Sequence, residues 1–364
     1  MSRKLAMSDF SIIIPTYNEK ESILNLILEI RDQLTQLNYD IIIVDDNSPD
    51  KTGEIVKAFI QAKNLQNIIC IERSWQKGLS SAIVEGMAAS NSPLIIVMDG
   101  DGQHDPKDIY KFVETQKNND LDLVIGSRFY MEESDINLSR SRFALSRFGI
   151  RLSRPFIGNR FTDPLTGFFL IKRNILKNIQ NKIYKDGFKI LFDILMLKKD
   201  ISSQEIQINF RKRLAGDSKL NISTLAHLMG QIVENLSHRI IPSTFFVFSF
   251  IGATGVFIHL LALYSFLGVG FDYIFSNLIG SILALTSNYF LNNYLTFNNL
   301  HKTLRSRISG LFKYSLFNSM SLMANIGVAS FLYLDNFSVA ISTLFGISAG
   351  LLLNYFLSKN IVFR

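Results

Sequence analysis

Two carboxylates one residue apart occur in the run Asp99-Gly100-Asp101-Gly102-Gln103, which directly follows the apolar residues LIIVM. At this spacing both carboxylates can hold one hard divalent cation, and the side-chain oxygen of Gln103 can add a further ligand. Mg²⁺ or Mn²⁺ held in this way would also contact the phosphates of a substrate. We name residues 99–103 the carboxylate loop and predict that Asp99, Asp101 and Gln103 bind a metal ion.

The carboxylate loop also begins like a calcium-binding EF-hand, an alternative that the following residues exclude. His104 stands where an EF-hand requires glycine, and no glutamate stands at the end of the loop. A plain acidic turn is the other alternative. It loses weight because two further polar loops follow predicted strands.

The runs PTYNE and VDDNSPD are these two loops. In the first, Pro15 fixes a turn, Tyr17 offers a ring face on which a base can stack, and Glu19 lies near the positive end of a helix. In the second, the carboxylate of Asp46 can accept hydrogen bonds from a base or a ribose. Capping of the following helix is the alternative role for the polar residues of this run.

The elements that must position these loops are short strands and helices in alternation. The apolar runs FSIIIP, DIIIVDD, NIICIE and LIIVMD are separated by helical patterns at 19–37, 51–63 and 79–89. Such alternation predicts βαβ units, and continuous Ile and Val runs are typical of strands buried on both faces of a parallel sheet. All three polar loops then lie at the carboxyl edge of an α/β sheet and line one crevice.

From Pro242 onward the composition changes to long apolar runs. Each is about 20 residues or more, as a membrane-spanning helix requires, and they are drawn at 244–269, 273–297, 314–334 and 337–357. The run NYFLNNYLTF at 288–297 returns as NYFLSKNIVF at 354–363, which indicates two duplicated hairpins. We therefore predict an N-terminal domain at 1–222, a linker at 223–241 and an all-α four-helix transmembrane domain at 242–364.

The linker carries apolar residues at helical spacing, among them Leu225, Leu228 and Ile232. This pattern predicts an amphipathic helix that lies in the membrane interface. An ordinary amphipathic helix packed on the N-terminal domain explains the pattern equally well.

Charge and cysteine usage narrow the class of protein. The net charge of +7 and pI near 9.3 come from basic residues that do not gather with stacking aromatics, so we exclude nucleic acid and favour an anionic membrane surface or phosphorylated ligands. Cys70 is the single cysteine of the sequence, which excludes an intramolecular disulfide and suits a reducing compartment. We expect a small buried side chain there.

The sequence also predicts an orientation in the membrane. The apolar stretch 10–14 is too short for the h-region of a signal peptide. The basic residues Lys302, Arg305, Arg307 and Lys313 lie between the second and third spans, and the positive-inside rule assigns that loop to the cytoplasm. We expect an integral, multi-pass membrane protein whose N-terminal domain and both termini are cytoplasmic.

Seven runs in order carry a resemblance to a known family: PTYNE, VDDNSPD, GLSSAIVEG, MDGDGQH, GSR, DPLTGFF and RLAGDSK. They resemble the family-2, GT-A-fold dolichyl-phosphate mannose synthases and their bacterial polyprenyl-phosphate relatives. The C-terminal domain is similar to the GtrA-like membrane domain, with its Asn-Tyr-Phe-Leu and terminal Thr-Phe or Val-Phe signatures. The resemblance implies a GT-A, Rossmann-like catalytic domain that transfers one sugar from a nucleotide sugar to a polyprenyl phosphate.

The resemblance also implies roles for individual residues. Those expected to bind the nucleotide sugar are Pro15, Tyr17, Glu19, Val44, Asp46, Asp99, Gly100, Asp101, Gln103, Arg128, Arg213 and Lys219. Those expected to face the lipid phosphate are Arg128, Arg142, Ser146 and Arg213. The catalytic residues are expected to be Asp101, Arg128 and Arg213. Two departures are Gly100, where the family often has alanine, and Lys51-Thr52-Gly53, where Asp-Gly-Thr is usual.

The acceptor explains why no general base is expected. A phosphate monoester, with a second pKa near 6, is largely ionised at neutral pH, so its oxygen can attack the anomeric carbon directly in an inverting, single displacement.

The run DPLTGFF favours GDP-mannose as donor, and UDP-glucose is the alternative. Processive polysaccharide synthases resemble one another in a Gln-x-x-Arg-Trp motif that lies downstream of the paired aspartates. The single tryptophan of this sequence, Trp75, lies upstream of the carboxylate loop, so this alternative is disfavoured. A C-terminal domain that translocates the lipid-linked sugar stays open as a function of another class.

Overall fold

The computed structural model describes residues 8–74, 78–129, 140–183, 189–212, 222–237, 240–297 and 300–363. The chain divides into two compact units, Met1–Asn221 and Ile222–Arg364. They are named here the N-terminal unit and the C-terminal unit.

The N-terminal unit is built on a sheet of seven strands in the order β3-β2-β1-β4-β6-β5-β7. The strands are β1 Phe10–Thr16, β2 Tyr39–Asp45, β3 Ile68–Glu72, β4 Leu94–Val97, β5 Leu123–Ser127, β6 Phe169–Lys172 and β7 Ser203–Gln207. Strand β6 runs antiparallel to β4 and β5, and the other pairs are parallel. The predicted α/β class with a mostly parallel sheet is confirmed.

The alternation of side chains along the strands builds a core on each face of the sheet. Ile12 and Ile14 of β1 pack into one buried cluster, whereas Ile13 packs with Val44 of β2 into the other. All four residues are completely buried. Helices therefore cover both faces, as the uninterrupted Ile and Val runs predict.

The helices of this unit connect the strands. They are α1 Ile23–Gln33, α2 Thr52–Ala62, α3 Leu79–Ala89, α4 Asp108–Asn119, α5 Arg140–Ile157, α6 Arg173–Ile179 and α7 Ile190–Leu197, with a 3-10 turn at Gln180–Lys182. Helix α1 is shorter at both ends than the predicted 19–37. Asn18 adopts a left-handed φ of 58°, and a turn at residues 19–22 precedes the regular helix, so Glu19 lies before α1.

The C-terminal unit is helical throughout its described part. Its helices are α8 Ile222–Leu236, α9 Ser243–Val269, α10 Tyr273–Leu291, α11 Leu304–Leu334 and α12 Val339–Leu357. Two of them, at Ser243–Val269 and Leu304–Leu332, are long and apolar enough to cross a membrane. Large apolar side chains such as Phe257 on α9 and Met323 on α11 are exposed, as expected for helices surrounded by lipid.

The two hairpins α9–α10 and α11–α12 repeat the same local features at the same spacing. The turns contain the left-handed residues Gly270 and Asn336. A π-helical turn follows each second helix, at Asn292–Thr296 and Ser358–Val362. The phenylalanines that end the two repeated runs stack on each other with ring centroids 4.3 Å apart and 14° between their planes.

Helix α8 packs against the beginning of α9. Glu234 accepts a hydrogen bond from the backbone N–H of Ser243 at 2.8 Å, which satisfies a donor at the α9 terminus. A Cβ on Gly230 would lie 2.8 Å from the Ser243 carbonyl oxygen, so the two helices approach closely at this glycine. Leu228 and Ile232 on the apolar face are buried.

Candidate active site

The carboxylate loop leaves the sheet at the end of β4. Met98 N still donates to Ile13 O at 3.1 Å, and the chain then turns at Gly102, whose φ is 75°. Asp101 closes the turn by accepting from Gln103 N at 3.0 Å, and both side chains are buried. The side chain of Asp99 is 39% exposed. The loop therefore presents one accessible and one buried carboxylate at the carboxyl edge of the sheet.

The side chain of His104 holds the backbone of this loop in place. Its Nδ1 accepts from the N–H of Asp99 at 3.2 Å, and its ring stacks on Phe168 with centroids 4.8 Å apart. Burial lowers the pKa of His104, while the charges of Asp99 and Asp101 act in the opposite direction. The neutral imidazole, with Nδ1 as acceptor, carries its proton on Nε2, which lies 3.9 Å from Asp99 Oδ2.

The donor groups of the loop, and the room left for Asp99, fit a divalent cation. A Cβ on Gly167 would lie 2.5 and 2.6 Å from the two carboxylate oxygens of Asp99, so glycine is needed there to leave room for that carboxylate. The amide nitrogen of Gln103 donates to Arg211 O at 3.3 Å, which leaves the amide oxygen as the atom for a ligand. No group of three or more His, Cys, Asp and Glu side chains that could hold a metal ion occurs in the described residues. The loop offers two carboxylates and an amide. They suit Mg²⁺ or Mn²⁺, which use few protein ligands and keep sites for phosphates.

Arg128 is held in a bidentate pair with Asp163. Its Nε lies 2.6 Å from Asp163 Oδ2 and its Nη2 lies 2.8 Å from Oδ1. Burial disfavours the charge of Arg128, but the paired carboxylate outweighs burial and raises the arginine pKa. The guanidinium also lies over the ring of Phe210, 5.3 Å from its centroid. Arg128 is therefore a fixed, permanently charged group.

Glu205 on β7 holds the loop that carries Asp163. Its carboxylate accepts from the N–H groups of Thr162 and Asp163 at 2.9 and 3.0 Å, and from the Thr162 hydroxyl at 2.9 Å. Burial raises the pKa of Glu205, although these hydrogen bonds favour the charged form. Glu205 thus orients Asp163, which in turn orients Arg128.

The residues predicted to face the lipid phosphate are brought partly together. Ser146 is buried on α5, and its hydroxyl lies 3.4 Å from Arg128 Nη2. Arg142 stands one turn earlier on the same helix, and its side chain lies outside the described residues. Arg213 and Lys219 also lie outside them.

The two aspartates at the end of β2 are engaged by the protein itself. Asp45 accepts from the hydroxyls of Thr16 and Ser48 at 3.0 and 2.6 Å. Asp46 accepts from Arg73 Nε at 2.7 Å on one oxygen and from Gly78 N at 2.8 Å on the other. In this arrangement Asp46 orders the loop and the start of α3.

In the run PTYNE, Pro15 is buried in β1 and pairs with Val44 of β2, so it does not fix a turn as expected. Tyr17 is half-buried just after the strand, and Glu19 is buried. Val44, for which the resemblance implies a contact with the nucleotide sugar, is the second last residue of β2. It is completely buried, and its side chain lies in the core beneath α3 because it follows Ile42 at the spacing of one strand face. Gly100 belongs to the carboxylate loop, and its carbonyl accepts from Ser22 Oγ at 2.9 Å.

Two cations near this edge were missed from the sequence. Arg73 is fully buried and donates to Asp46, to the Ser81 hydroxyl and to Gly78 O. Lys189 donates to Leu165 O at 2.8 Å, and its pKa is lowered by burial and by Arg128, with Asp99 and Asp163 opposing. A charged residue that directly follows β3 was a signal for Arg73. Lys189 had no such signal, because it precedes a helix far along the chain.

Comparisons with known proteins show the family to which the chain belongs. The family described as Glycosyl transferase family 2 matches residues 11–180, and the family described as GtrA/DPMS, transmembrane domain matches residues 247–363. A dolichol-phosphate mannosyltransferase of Pyrococcus furiosus is 30% identical over 96% of this chain and 98% of its own length. The chain belongs to glycosyltransferase family 2. This glycosyltransferase carries a GtrA/DPMS membrane domain, and the resemblance found in the motifs is confirmed.

Further relatives cover less of the glycosyltransferase. A dolichol-phosphate mannosyltransferase of Mycosarcoma maydis is 31% identical over 62% of this chain and 78% of its own length. Among solved structures, glucosyl-3-phosphoglycerate synthase from Mycobacterium tuberculosis with Mn²⁺, UDP-glucose and phosphoglyceric acid covers 63% of this chain and 80% of its own, at 15% identity and a TM-score of 0.49.

Proposed function

We propose that this glycosyltransferase moves one mannosyl residue from GDP-mannose to the phosphate of a polyprenyl lipid. A dolichol-phosphate mannosyltransferase that matches almost from end to end, including the membrane domain, supports this assignment. A lipid acceptor also explains the C-terminal unit, since its exposed apolar helices keep the enzyme in the membrane that contains such a lipid. The domain division at 1–222, 223–241 and 242–364 belongs to this proposal.

The observation that carries the proposal is the fixed guanidinium of Arg128. It is charged, its Nε and Nη2 bind Asp163, and Nη2 also lies 3.4 Å from the Ser146 hydroxyl. The planar fork of arginine suits phosphate oxygens, and both the leaving diphosphate and the attacking phosphate are anions. Arg128 therefore draws the acceptor phosphate toward α5, with Arg142 and Arg213 as further expected partners.

The reaction then needs charge stabilisation more than proton transfer. The ionised acceptor oxygen attacks the anomeric carbon of mannose as the bond to GDP breaks, which inverts the configuration. Asp99, Asp101 and Gln103 would hold Mg²⁺ or Mn²⁺, which supplies positive charge beside the diphosphate. Tyr17 and Glu19 border the same crevice and are expected to contact the nucleotide, and Lys219 adds an expected phosphate contact.

We also propose that the N-terminal unit and both termini lie in the cytoplasm. Lys302 lies between α10 and α11, and Arg305, Arg307 and Lys313 lie in the first turns of α11; these basic residues support this orientation of a multi-pass membrane protein. Cysteine labelling from either side of sealed vesicles, with single cysteines introduced into this loop, measures it directly.

The test of function is transfer of labelled sugar in detergent. GDP-mannose and UDP-glucose are tested separately as donors, with polyprenyl phosphate and Mn²⁺. The enzymes compared are the wild type, Asp101→Asn, and Asp32→Asn, a matched control at an exposed position of α1. Label in the lipid from GDP-mannose, lost in Asp101→Asn and retained in the control, is the expected result. Label from UDP-glucose alone would replace mannose by glucose, and no lipid product from either donor would refute the acceptor.

A further inference from the structure

The side chain of Arg211 connects helix α1 with the end of the carboxylate loop. Its Nη1 lies 2.5 Å from Oε1 of Glu29, which belongs to α1. Its Nη2 pairs with Asp105, two residues after Gln103. Arg211 comes after the last strand of the sheet, so one guanidinium joins three segments that are distant in sequence.

The backbone of Arg211 contacts Gln103 in both directions. Arg211 N donates to Gln103 O at 2.8 Å, and the side-chain nitrogen of Gln103 donates to Arg211 O at 3.3 Å. The neighbouring residues His104 and Phe210 form an isolated antiparallel bridge and a tilted ring contact. The orientation of the Gln103 amide is therefore set by a carbonyl group that belongs to Arg211.

We propose that Arg211 is a positioning residue for cation binding, because its two ion pairs hold the carbonyl group that turns the Gln103 oxygen toward the metal. The inference rests on the proposed function, since it assumes the metal site of Asp99, Asp101 and Gln103. It adds a residue that the ligand set does not contain. Partners that orient a metal ligand from behind commonly change metal affinity by roughly ten- to a hundredfold when they are removed.

The chemistry of arginine suits this task better than that of lysine. The rigid fork of the guanidinium reaches Glu29 and Asp105 at the same time, whereas the ammonium group of a lysine is a single point of charge. Asp105 is further fixed by Asn209 Nδ2 at 3.2 Å and by the backbone N–H of Lys107 at 3.0 Å. Burial opposes the charge of Asp105, but the hydrogen bond from Arg211 helps to lower its pKa.

A purely structural role for these ion pairs predicts a different outcome. Arg211 and Glu29 are each about one-third exposed, so this pair contributes little to folding, whereas the Asp105 side chain is only 8% exposed. Glu29→Gln therefore separates the two roles without leaving a buried carboxylate unpaired. If they act on the metal site, their loss changes Mn²⁺ affinity while the melting temperature and metal-free GDP binding stay near wild type. If they act on the fold alone, Mn²⁺ affinity does not change.

The experiment measures Mn²⁺ binding to the full-length protein in detergent by electron paramagnetic resonance, with GDP present. The variants are Arg211→Met, Arg211→Lys and Glu29→Gln, which removes one ion pair and leaves the arginine in place. Glu54→Gln is the matched control, because it breaks the exposed Lys51–Glu54 pair on the surface of α2. GDP binding without metal is measured in parallel by calorimetry.

We expect the Mn²⁺ dissociation constant to rise about tenfold or more in Arg211→Met, and by a smaller factor in Arg211→Lys and Glu29→Gln. The control should match the wild type. Unchanged Mn²⁺ affinity in both Arg211→Met and Glu29→Gln, with the wild type binding Mn²⁺, would overturn this inference alone. A wild type that binds GDP but no Mn²⁺ would overturn the proposed metal site and this inference with it.

Discussion

Replacement of Gly167 by alanine tests the geometry of the carboxylate loop directly. The added Cβ would lie 2.5 and 2.6 Å from the two oxygens of Asp99. Carbon and oxygen do not approach so closely without a bond, so the carboxylate must move by roughly 0.5 to 1 Å. Gly167 lies in the loop before β6 and is not itself a predicted ligand, so the change acts through Asp99.

The displacement should affect catalysis far more than folding. A misplacement of about 1 Å in a reacting assembly can lower a rate by roughly a hundredfold. The Asp99 side chain is 39% exposed and can turn toward solvent, so the overpacking cost should stay near the lower end of about 1–3 kcal/mol. About 1 kcal/mol lowers the melting temperature of a domain of this size by roughly 2–4 °C.

The assay compares mannosyl transfer, Mn²⁺ affinity and melting temperature for Gly167→Ala with those for Gly252→Ala. Gly252 lies in α9, and a Cβ there would meet nothing within 4 Å, so it controls for the chemical change itself. A Gly167→Ala enzyme with near wild-type transfer and Mn²⁺ affinity would refute the reasoning. So would a loss of activity that merely follows a collapse of thermal stability.

Three further results are expected from the wild-type contacts. Asp163→Asn leaves the buried guanidinium of Arg128 without its charge partner, and should lower the unfolding free energy by about 3–5 kcal/mol in thermal denaturation; a loss below about 1 kcal/mol would contradict the pair. Burial raises the pKa of Glu205 above 4.5. The stability of the wild type relative to Glu205→Gln should therefore be greatest below pH 4.5 and fall as the pH rises through the raised pKa. Calorimetry that shows the opposite slope would exclude burial as the cause. Burial, with the charge of Asp45 next, raises the pKa of Cys70 to about 12, so iodoacetamide at pH 8 should label it slowly when folded and quickly when unfolded, and equal rates would show that the thiol is accessible.

Local patterns determined the strands and the order of the polar loops. The Ile and Val runs of β1, β2 and β4 are buried on both faces of the sheet. Successive side chains of a strand point to opposite faces, so a continuous apolar run makes both faces apolar. The helix predicted at 79–89 is observed at Leu79–Ala89. The start of α1 differs from the prediction, because a turn at residues 19–22 precedes the regular helix.

The burial of Val44 could have been inferred from the same period, because it shares a strand face with Ile42. The motif resemblance implies a nucleotide contact for the same residue, and that contact stays a prediction. Motifs record which residues recur in a family, and they do not separate a residue that lines a site from one that supports it.

By itself, the sequence determined the family, the α/β class, the membrane domain and the carboxylate loop, since periodicity, composition and short motifs act over neighbouring residues. The tertiary structure alone decided that Arg128 pairs with Asp163, that Glu205 holds that pair in place, and that Arg211 meets Gln103. These contacts depend on strand order, because the antiparallel β6 lies between β4 and β5 and β7 lies beside β5. Strand order follows from the packing of the whole sheet, and no window of the sequence contains it.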